Sequence, residues 1–422
     1  MLKQCKMAIK TDLINITLFL SFFTIFLQNT FGFSGLIYFF IDIPIVVMLI
    51  KKSKSIGRAV LKKNLFPITI LLIFSIIAAG IGALVNQVSL ENTIYGFYKY
   101  YRGFLFFLCV FVLSNENSEN RTKILFETVF VINVLFTLYQ IVILKFDQDK
   151  LGGLFGTVIG VNQYTNLFFI VISIYCFFHI MVKKNKKKHN FKHLFMLGIM
   201  FLIAAMAEIK FYFAEMAVLL ILTNIFARKN LNSAIILLSL GIGIIMSYNL
   251  LLIFFPEFSN LIKVLNEGGL TTLIELQQHY STDTDMGRAA VFSFSNRYYL
   301  TDNIKQLFGL GIGSITSSSF VNNSFWELNN ASHYDFFSTS YLYMEQGIVG
   351  LLLYALFYAT LLIKAVISFI RKNNIEYSIL LILFVSSSVM IFVYNNVLLS
   401  QMCFLNFWAL AITYRKMLRA QK

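Results

Sequence analysis

The sequence predicts an all-α integral membrane protein with about twelve transmembrane helices and one large extracytoplasmic loop. Of its 422 residues, 58% are hydrophobic and only 13% are charged, a composition that a soluble fold could not shield from water. The apolar residues form runs of the length that crosses a bilayer, and Lys and Arg collect in alternate connections between those runs. One stretch of about 85 polar-rich residues, 256–340, interrupts the pattern.

Twelve apolar windows are long enough to be read as membrane spans. They are 13–27, 31–50, 67–86, 95–113, 124–144, 163–182, 194–208, 212–227, 233–255, 341–364, 376–394 and 397–414. The first window follows three lysines as a signal peptide would, but no small-residue cleavage site follows it, so we expect an anchored span. The chain is thereby divided into residues 1–255 with nine spans, the loop 256–340, and residues 341–422 with three spans.

The distribution of basic residues predicts the orientation. An alternating path that starts inside places 26 of the 35 Lys and Arg residues on the cytoplasmic side, together with both termini. The loop 256–340 then lies on the far side of the membrane. The net charge of +15 is explained by basic connections that meet anionic headgroups, so we expect membrane lipids as partners and no nucleic acid.

Nine basic residues remain on the outer side, where the positive-inside rule gives no reason for them. They are Lys99, Arg102, Lys145, Lys150, Lys210, Lys263, Arg288, Arg297 and Lys305. Lys99 and Arg102 lie three apart on one helical face, and Lys210 lies in a hairpin between two spans. A single cation of this kind commonly reaches headgroups or pairs with an acid. Three at one depth, with Arg288 in the loop, predict a site for a multiply charged anion such as a lipid pyrophosphate.

The loop 256–340 carries Ser, Thr, Asn and many aromatic residues. This composition suits sugar rings, which have apolar faces and a rim of hydroxyls, and it suits an amphipathic lid on a membrane equally well. Residues 283–297 predict a helix because Asp-Thr-Asp at its start supplies good N-cap types, which places Arg288 in the first turns.

Glycine and metal-ligand patterns in the loop predict no cofactor. Gly309, Gly311 and Gly313 predict a flexible turn with exposed amides, and no Lys follows them as a nucleotide-binding loop would require. Asp283 and Asp285 are explained by helix capping, and no cluster of His and carboxylates suggests a metal site. The four cysteines have no CxxC or Cys-His spacing, so neither a disulfide framework nor zinc is expected.

Several segments, taken in order, resemble one protein family. They are Gly156–Tyr164, Gly287-Arg288, Phe308–Ser314, Ser332–Asp335 and Glu345–Leu352. Their order and spacing resemble the large periplasmic loop and its flanking spans in the O-antigen polymerase and O-antigen ligase superfamily. The chain departs from the family at two places. His333 lies fourteen residues before Gly347 where the family has about eleven, and the hairpin around Lys210 lacks the family's Ser-Arg-Gly.

The resemblance implies a GT-C-like glycosyltransferase of the bacterial inner membrane. Its implied substrate is an oligosaccharide linked to undecaprenyl pyrophosphate, and its implied partners include a chain-length regulator protein. The residues expected to hold the pyrophosphate are Lys99, Arg102, Lys210 and Arg288. His333 is the expected base, and Arg288 is the second expected catalytic residue. Asp335, Glu345 and Asp285 are the alternatives for the base. Contacts with the glycan are expected from Asn162, Tyr164, Asp335 and Glu345.

Three functions stay open at this point. We favour the polymerase, because the His333 region departs from the ligase pattern and the chain is rich in Phe and Tyr. The first alternative is the ligase, which transfers glycan to lipid A core. The second is a lipid-linked oligosaccharide flippase or another transporter, for which the sequence shows no clear internal repeat.

Overall fold

The computed structural model describes residues 12–62, 64–146, 148–182, 187–226, 286–316 and 323–419, with the isolated positions 241 and 249. The regular structure of these residues is helical throughout, so the all-α prediction is confirmed for them. The predicted span 233–255 and the first part of the loop, residues 256–285, lie outside the described residues.

The described α-helices are numbered in chain order. They are α1 (Leu13–Phe31), α2 (Phe39–Val60), α3 (Phe66–Val85), α4 (Leu90–Leu113), α5 (Glu116–Val142), α6 (Asn162–Phe177), α7 (Lys187–Met206), α8 (Lys210–Phe226), α9 (Val291–Tyr298), α10 (Asn303–Phe308), α11 (Ser324–Asn329), α12 (Ser338–Ile370), α13 (Ile375–Tyr394) and α14 (Cys403–Arg419). A π-helical turn, Phe178–Val182, continues α6.

Seven helices of the described chain are long and apolar enough to cross a membrane, so this is a multi-pass membrane protein. They are α1, α3, α4, α5, α6 with its π-helical turn, α12 and α13. Each predicted window except 233–255 overlaps a helix. However, α8 and α14 have only 17 residues each, and α2 is kinked at Lys52 within a basic segment. The count of twelve spans therefore stays a prediction.

The centre of the bundle is formed by α6 and α14, which bury residues around their whole circumference. An amphipathic helix buries one stripe, whereas a helix apolar on all sides belongs in a core. α14 packs mainly against α4 and α13, and α6 packs against α7, α8 and α13. α12 packs along α3 and α13. The outer face of α3 is exposed and apolar, as expected for a helix in contact with lipid tails.

The connections sort into two sets at opposite ends of the bundle. At one end, which we call the basic end, Lys416 pairs with Glu119, and the Lys364 Nζ donates to the Asn64 carbonyl 2.6 Å away. The basic stretches at 51–58, 371–372 and 415–419 belong to this end.

The other end, the loop end, carries the described part of the polar loop. There Asn29 Nδ2 donates to the Phe155 carbonyl at 3.0 Å, and Asn86 Nδ2 donates to the Gly309 carbonyl at 3.0 Å. An alternating path through a membrane requires this sorting of the connections.

Candidate functional site

Three glycines fix the polar loop onto the membrane helices. Gly309, Gly311 and Gly313 have φ values of +74°, +93° and +83°. They are buried, and a Cβ on Gly313 would lie 1.9 Å from the Asn92 carbonyl oxygen, while one on Gly309 would lie 2.3 Å from the Glu345 carbonyl carbon. Only glycine fits at such positions. The predicted flexible turn with exposed amides is therefore wrong, because this segment is clamped between α12 and the α3–α4 hairpin.

Glu345 holds the same segment from the side of α12. Its Oε1 accepts from the Ile315 amide at 3.3 Å and from the Thr316 hydroxyl at 2.8 Å, and the residue has no exposed surface. The backbone of α12 breaks at Gly347, with φ +65° and ψ −165°, two residues further on. Glu345 was predicted to contact glycan. The hydrogen bonds found for it are internal, and they anchor the loop.

Arg102 is buried in an ionic network in the middle of α4. Its Nη1 donates to the Tyr98 hydroxyl at 2.8 Å and lies 3.8 Å from an Asp42 carboxylate oxygen, and the Tyr98 hydroxyl donates to that carboxylate at 2.6 Å. Arg102 is 6% exposed, so this pairing offsets the cost of removing the charge from water. Sequence reasoning missed Asp42. It is the one acid in the apolar window 31–50, and that isolation was the available signal.

Lys99 lies on the same face of α4 as Arg102. The two side chains line a small cleft of about 60 Å³ at the loop end. The Lys99 Nζ lies 3.6 Å from the centroid of the Tyr341 ring. Its charge interacts with the carboxyl groups of Glu345 and Asp335. The predicted pairing of Lys99 and Arg102 on one helical face is present in the structure.

Arg288 projects from the loop and is exposed. Its Nε donates to the Tyr394 carbonyl at 3.2 Å, and its guanidinium lies 4.4 Å from the Tyr394 ring centroid and 5.0 Å from that of Phe337. In the described chain no carboxylate pairs with it. Arg288 begins a 3-10 turn that leads into α9, so the α-helix of this segment begins after Arg288 and not before it as predicted. The first three residues of the predicted range 283–297 lie outside the described residues.

Two aromatic residues at the N-terminal end of α12 carry contacts with Arg288 and Lys99. Phe337 lies under Arg288 and Tyr341 lies under Lys99. Phe337 is the N-cap residue of α12, with extended backbone, and Tyr341 lies in the first turn, where its amide donates to the Phe337 carbonyl at 3.1 Å. Both cations therefore contact the N-terminal end of α12, although 188 residues separate positions 99 and 288 in the sequence.

Lys210 begins α8 beside this group. Its Nζ pairs with Glu208 at 2.5 Å. The ring of the next residue, Phe211, stacks on the Tyr394 ring with centroids 3.7 Å apart. Tyr394 thus contacts both the Lys210 hairpin and Arg288, and the predicted third cation lies in the neighbourhood of the other two.

His333 and Asp335 occupy the turn before α12. His333 has the left-handed φ of +53°, and the Met286 amide donates to the Ser332 carbonyl at 2.9 Å, which ties the turn to the segment of Arg288. Burial raises the pKa of the Asp335 carboxyl above its usual range, and the nearby Lys99 and His333 partly oppose that rise. The predicted base therefore has a carboxyl group beside it.

The two residues at the start of α6 that were expected to contact the glycan, Tyr164 and Asn162, have different surroundings. Tyr164 hydrogen-bonds to Ser400 and is an electrostatic neighbour of Tyr38, a residue of the cleft that holds Arg102. Asn162 instead donates to Asp149 over 3.4 Å in an exposed position, and no contact joins it to the cations.

Within the described ranges no group of three or more His, Cys, Asp or Glu side chains could hold a metal ion; Asp283 and Asp285 lie outside those ranges. No protein-family profile matches this chain, and a search of curated proteins finds no significant relative.

Proposed function

We propose that this protein is an O-antigen polymerase, a glycosyltransferase of the bacterial inner membrane. It transfers a growing glycan from undecaprenyl pyrophosphate to a sugar hydroxyl of another lipid-linked repeat unit. The observation that supports this proposal best is the placement of Arg288 over Phe337 and of Lys99 over Tyr341, two rings at the N-terminal end of α12. Together with Arg102, they form a cationic group where the polar loop meets the membrane helices.

The proposed reaction requires positive charge beside its leaving group. The acceptor hydroxyl attacks the anomeric carbon, a new glycosidic C–O bond forms, and the bond between that carbon and the pyrophosphate oxygen breaks. Negative charge grows on the leaving pyrophosphate. Positive groups that already stand in place stabilise this charge without reorganisation.

The role of each cation in this scheme follows from its exposure to solvent. Arg288 is exposed and lacks a carboxylate partner in the described chain, so its guanidinium contacts the pyrophosphate directly. Arg102 is buried against Asp42, so it contributes mainly through its field. Lys99 shares a small cleft with Arg102, and Lys210 reaches the substrate by exchanging Glu208 for a phosphate oxygen.

His333 takes the proton of the acceptor hydroxyl in this scheme. The imidazole of His333 has a ring nitrogen that can accept this proton and release it afterwards. Asp335, which interacts electrostatically with His333, stabilises the imidazolium that forms. The loop end faces the periplasm and the basic end faces the cytoplasm, where both termini lie.

Deletion of the gene tests the proposal against its alternatives. A polymerase deletion leaves a single repeat unit on lipid A core in the surface-glycan ladder, and the wild-type gene on a plasmid restores the long chains. Bare core with accumulated lipid-linked polymer would identify a ligase. An unchanged ladder would contradict both assignments.

A further inference from the structure

A larger cavity, of about 280 Å³, lies at the opposite end of the molecule from the proposed active site. It opens among α5, α6, α7, α13 and α14 at the basic end. We call it the basic-end cavity. Nothing in the proposed transfer reaction uses it.

The basic-end cavity changes from charged to apolar along its depth. α5 lines it from Glu119 to Phe126, and α14 lines it from Lys416 to Trp408. Seven and eight residues of helix correspond to about 10–12 Å at 1.5 Å per residue. Glu119 and Lys416 stand at the end of the bundle, whereas Phe126 and Trp408 lie inside it beside Glu127, so the cavity has a charged mouth and a floor that is mainly aromatic.

Trp408 marks the floor. From Cys403 to Tyr414, it is the one residue of α14 that is not buried, and it lines the cavity. Its indole packs edge-on against Phe126 with centroids 4.9 Å apart. Since α14 is otherwise enclosed by neighbouring helices, the exposed part of Trp408 faces the cavity.

A buried hydroxyl without a partner lies between the mouth and the floor. Thr413 lines the cavity and is 1% exposed, and its Oγ1 has no hydrogen-bond partner among the described residues. An unsatisfied buried hydroxyl is costly, and native structures seldom leave one without a partner. Thr413 lies three residues from Lys416 along α14, about 4.5 Å deeper. The site therefore offers a donor just below the charged mouth.

The mouth carries a surplus of positive charge. At the mouth, Lys416 pairs with Glu119. Glu127 also lines the cavity, one residue past Phe126 and so at the depth of the floor, and it pairs at 2.9 Å with Lys192, which does not line the cavity. Lys123 also lines the mouth, is exposed, and has no acidic partner in the described chain. At the mouth, the two ammonium groups of Lys123 and Lys416 against the one carboxylate of Glu119 leave a net charge of +1.

We propose that the basic-end cavity binds one acyl chain of an anionic phospholipid. The phosphate contacts Lys123 at the mouth, an ester carbonyl of the lipid accepts from the Thr413 hydroxyl, and the chain packs against Phe126 and Trp408. The order of phosphate, ester carbonyl and acyl chain in this lipid matches the order of lysine, hydroxyl group and aromatic rings along the cavity. The proposal concerns a site apart from the glycosyl-transfer site and does not depend on that function.

The quenching of tryptophan fluorescence by brominated lipids tests this proposal. The chain has two tryptophans, so the W326F variant of the full-length protein emits from Trp408 alone. This protein is reconstituted into phosphatidylcholine vesicles that contain increasing fractions of phosphatidylglycerol brominated on the acyl chain, or of phosphatidylcholine brominated in the same way. We expect the phosphatidylglycerol to reach half-quenching at about fivefold lower mole fraction, the factor that corresponds to ~1 kcal/mol for one lysine near the anion.

Substitutions on the W326F background locate the effect. K123Q should remove the preference for the anionic lipid, whereas K54Q, an exposed lysine of α2 that does not line the cavity, should leave it unchanged. V171F fills the floor and should reduce quenching by both lipids.

Equal quenching by both lipids would overturn the proposal, because Trp408 would then report only the surrounding bilayer. Absence of quenching by either lipid would overturn it as well, because no chain enters. K123Q is at an exposed position, so its result decides the question even if V171F fails to fold.

Discussion

Arg102 and Arg288 use the same guanidinium group in different ways. Arg102 is held by Tyr98 and Asp42 in a buried network, and its position is fixed before any ligand arrives. Arg288 lies over aromatic rings and stays exposed, so its polar edge remains available to an anion. Recognition of a pyrophosphate needs both a positive charge that is already fixed in place and a guanidinium group that is free to donate paired hydrogen bonds.

Replacement of Arg288 by Ala should leave the protein in the membrane and abolish long polysaccharide chains. Removal of one preorganised donor from a developing anion typically costs about 100-fold or more in rate. The readout is the surface-glycan ladder, combined with the amount of protein in the membrane fraction.

Arg297 supplies the matched control for Arg288. It is an exposed arginine in the same part of the loop, on α9, and its guanidinium lies 5.2 Å from the Tyr298 ring centroid. R297A should give ladders of normal length. R288K should recover only part of the activity, since an ammonium group lacks the planar fork. Normal chain lengths in R288A would remove Arg288 from the site.

Asp335 should make the stability of the protein depend on pH. Burial raises its pKa in the folded protein, so the folded state binds the proton more tightly than the unfolded chain, whose value is about 3.9. The free energy of unfolding of the wild type should therefore fall relative to D335N as pH rises from about 4 through the raised pKa. Thermal unfolding in detergent at several pH values measures the difference.

Asp302 provides a control of opposite sign. The Lys305 amide donates to its carboxylate at 2.9 Å, and this hydrogen bond lowers the pKa of Asp302. Its stabilising contribution is present above the unfolded value and is lost as pH falls through the lowered pKa. Parallel pH dependences for D335N and D302N would show that neither change reports the local environment of its carboxyl group.

The loop is attached to the membrane helices by close backbone packing as well as by side chains. The glycine segment 309–313 approaches α3, α4 and α12 so closely that a Cβ would overlap with their atoms. Glu345 adds hydrogen bonds to the amide of Ile315 and the hydroxyl of Thr316. This clamp positions the N-terminal end of α12, where the N-cap residue Phe337 lies beneath Arg288 and Tyr341 lies beneath Lys99.

Replacement of Gly313 by Ala should destabilise the clamp by about 2–4 kcal/mol, since a left-handed φ and a steric clash act together. The Cβ would lie 1.9 Å from the Asn92 carbonyl oxygen, so either the loop or α4 must move. We expect a lower melting temperature and loss of long glycan chains, measured on purified protein and on the surface-glycan ladder.

Two other glycines separate the contributions to this effect. Gly160 has a φ of +81° and no atom within 4 Å of its added Cβ, so G160A should show the backbone strain alone. Gly198 lies within α7 with open space around it, so G198A should be neutral or stabilising. If G313A melts at the same temperature as G198A, the glycine segment is not a clamp.

The sequence predicts the helical elements well because each of them depends on local hydropathy. The windows 67–86 and 376–394, for example, correspond closely to α3 and α13. The bounds fail where polar residues extend a helix, as in α5, which begins at Glu116 although its apolar window begins at 124. An N-cap at Asn115 and acidic residues in the first turn explain that extension.

The site is less predictable because it depends on contacts between distant segments. The spacing of Lys99 and Arg102 on one helical face is a local property, and the structure has it. The packing of Gly313 against Asn92 and the pairing of Arg102 with Asp42 join residues far apart in the chain. Without those contacts, the glycines read as a flexible turn and Asp42 escapes notice.

The molecule as a whole has two chemically different ends. Lysines and arginines concentrate at the basic end, whereas aromatic rings, glycines and a few buried or stacked cations occupy the loop end. The positive-inside rule accounts for the lysines and arginines of the basic end, because cationic connections resist transfer across the membrane. In the expected orientation the cations of the loop end lie on the far side of the membrane despite this preference, which favours a functional use for them.

The orientation of these two ends decides whether the proposed reaction is possible. We expect a cysteine at Asp302, which is exposed in the loop, to react with a membrane-impermeant maleimide on intact spheroplasts. A cysteine at Lys54, exposed at the basic end, should react only after the membrane is permeabilised. Both variants are made without the four native cysteines, and a cytoplasmic marker protein controls for leakage. Labelling in the reverse order would place Arg288 and His333 in the cytoplasm, away from a periplasmic lipid-linked glycan, and would contradict the proposed function.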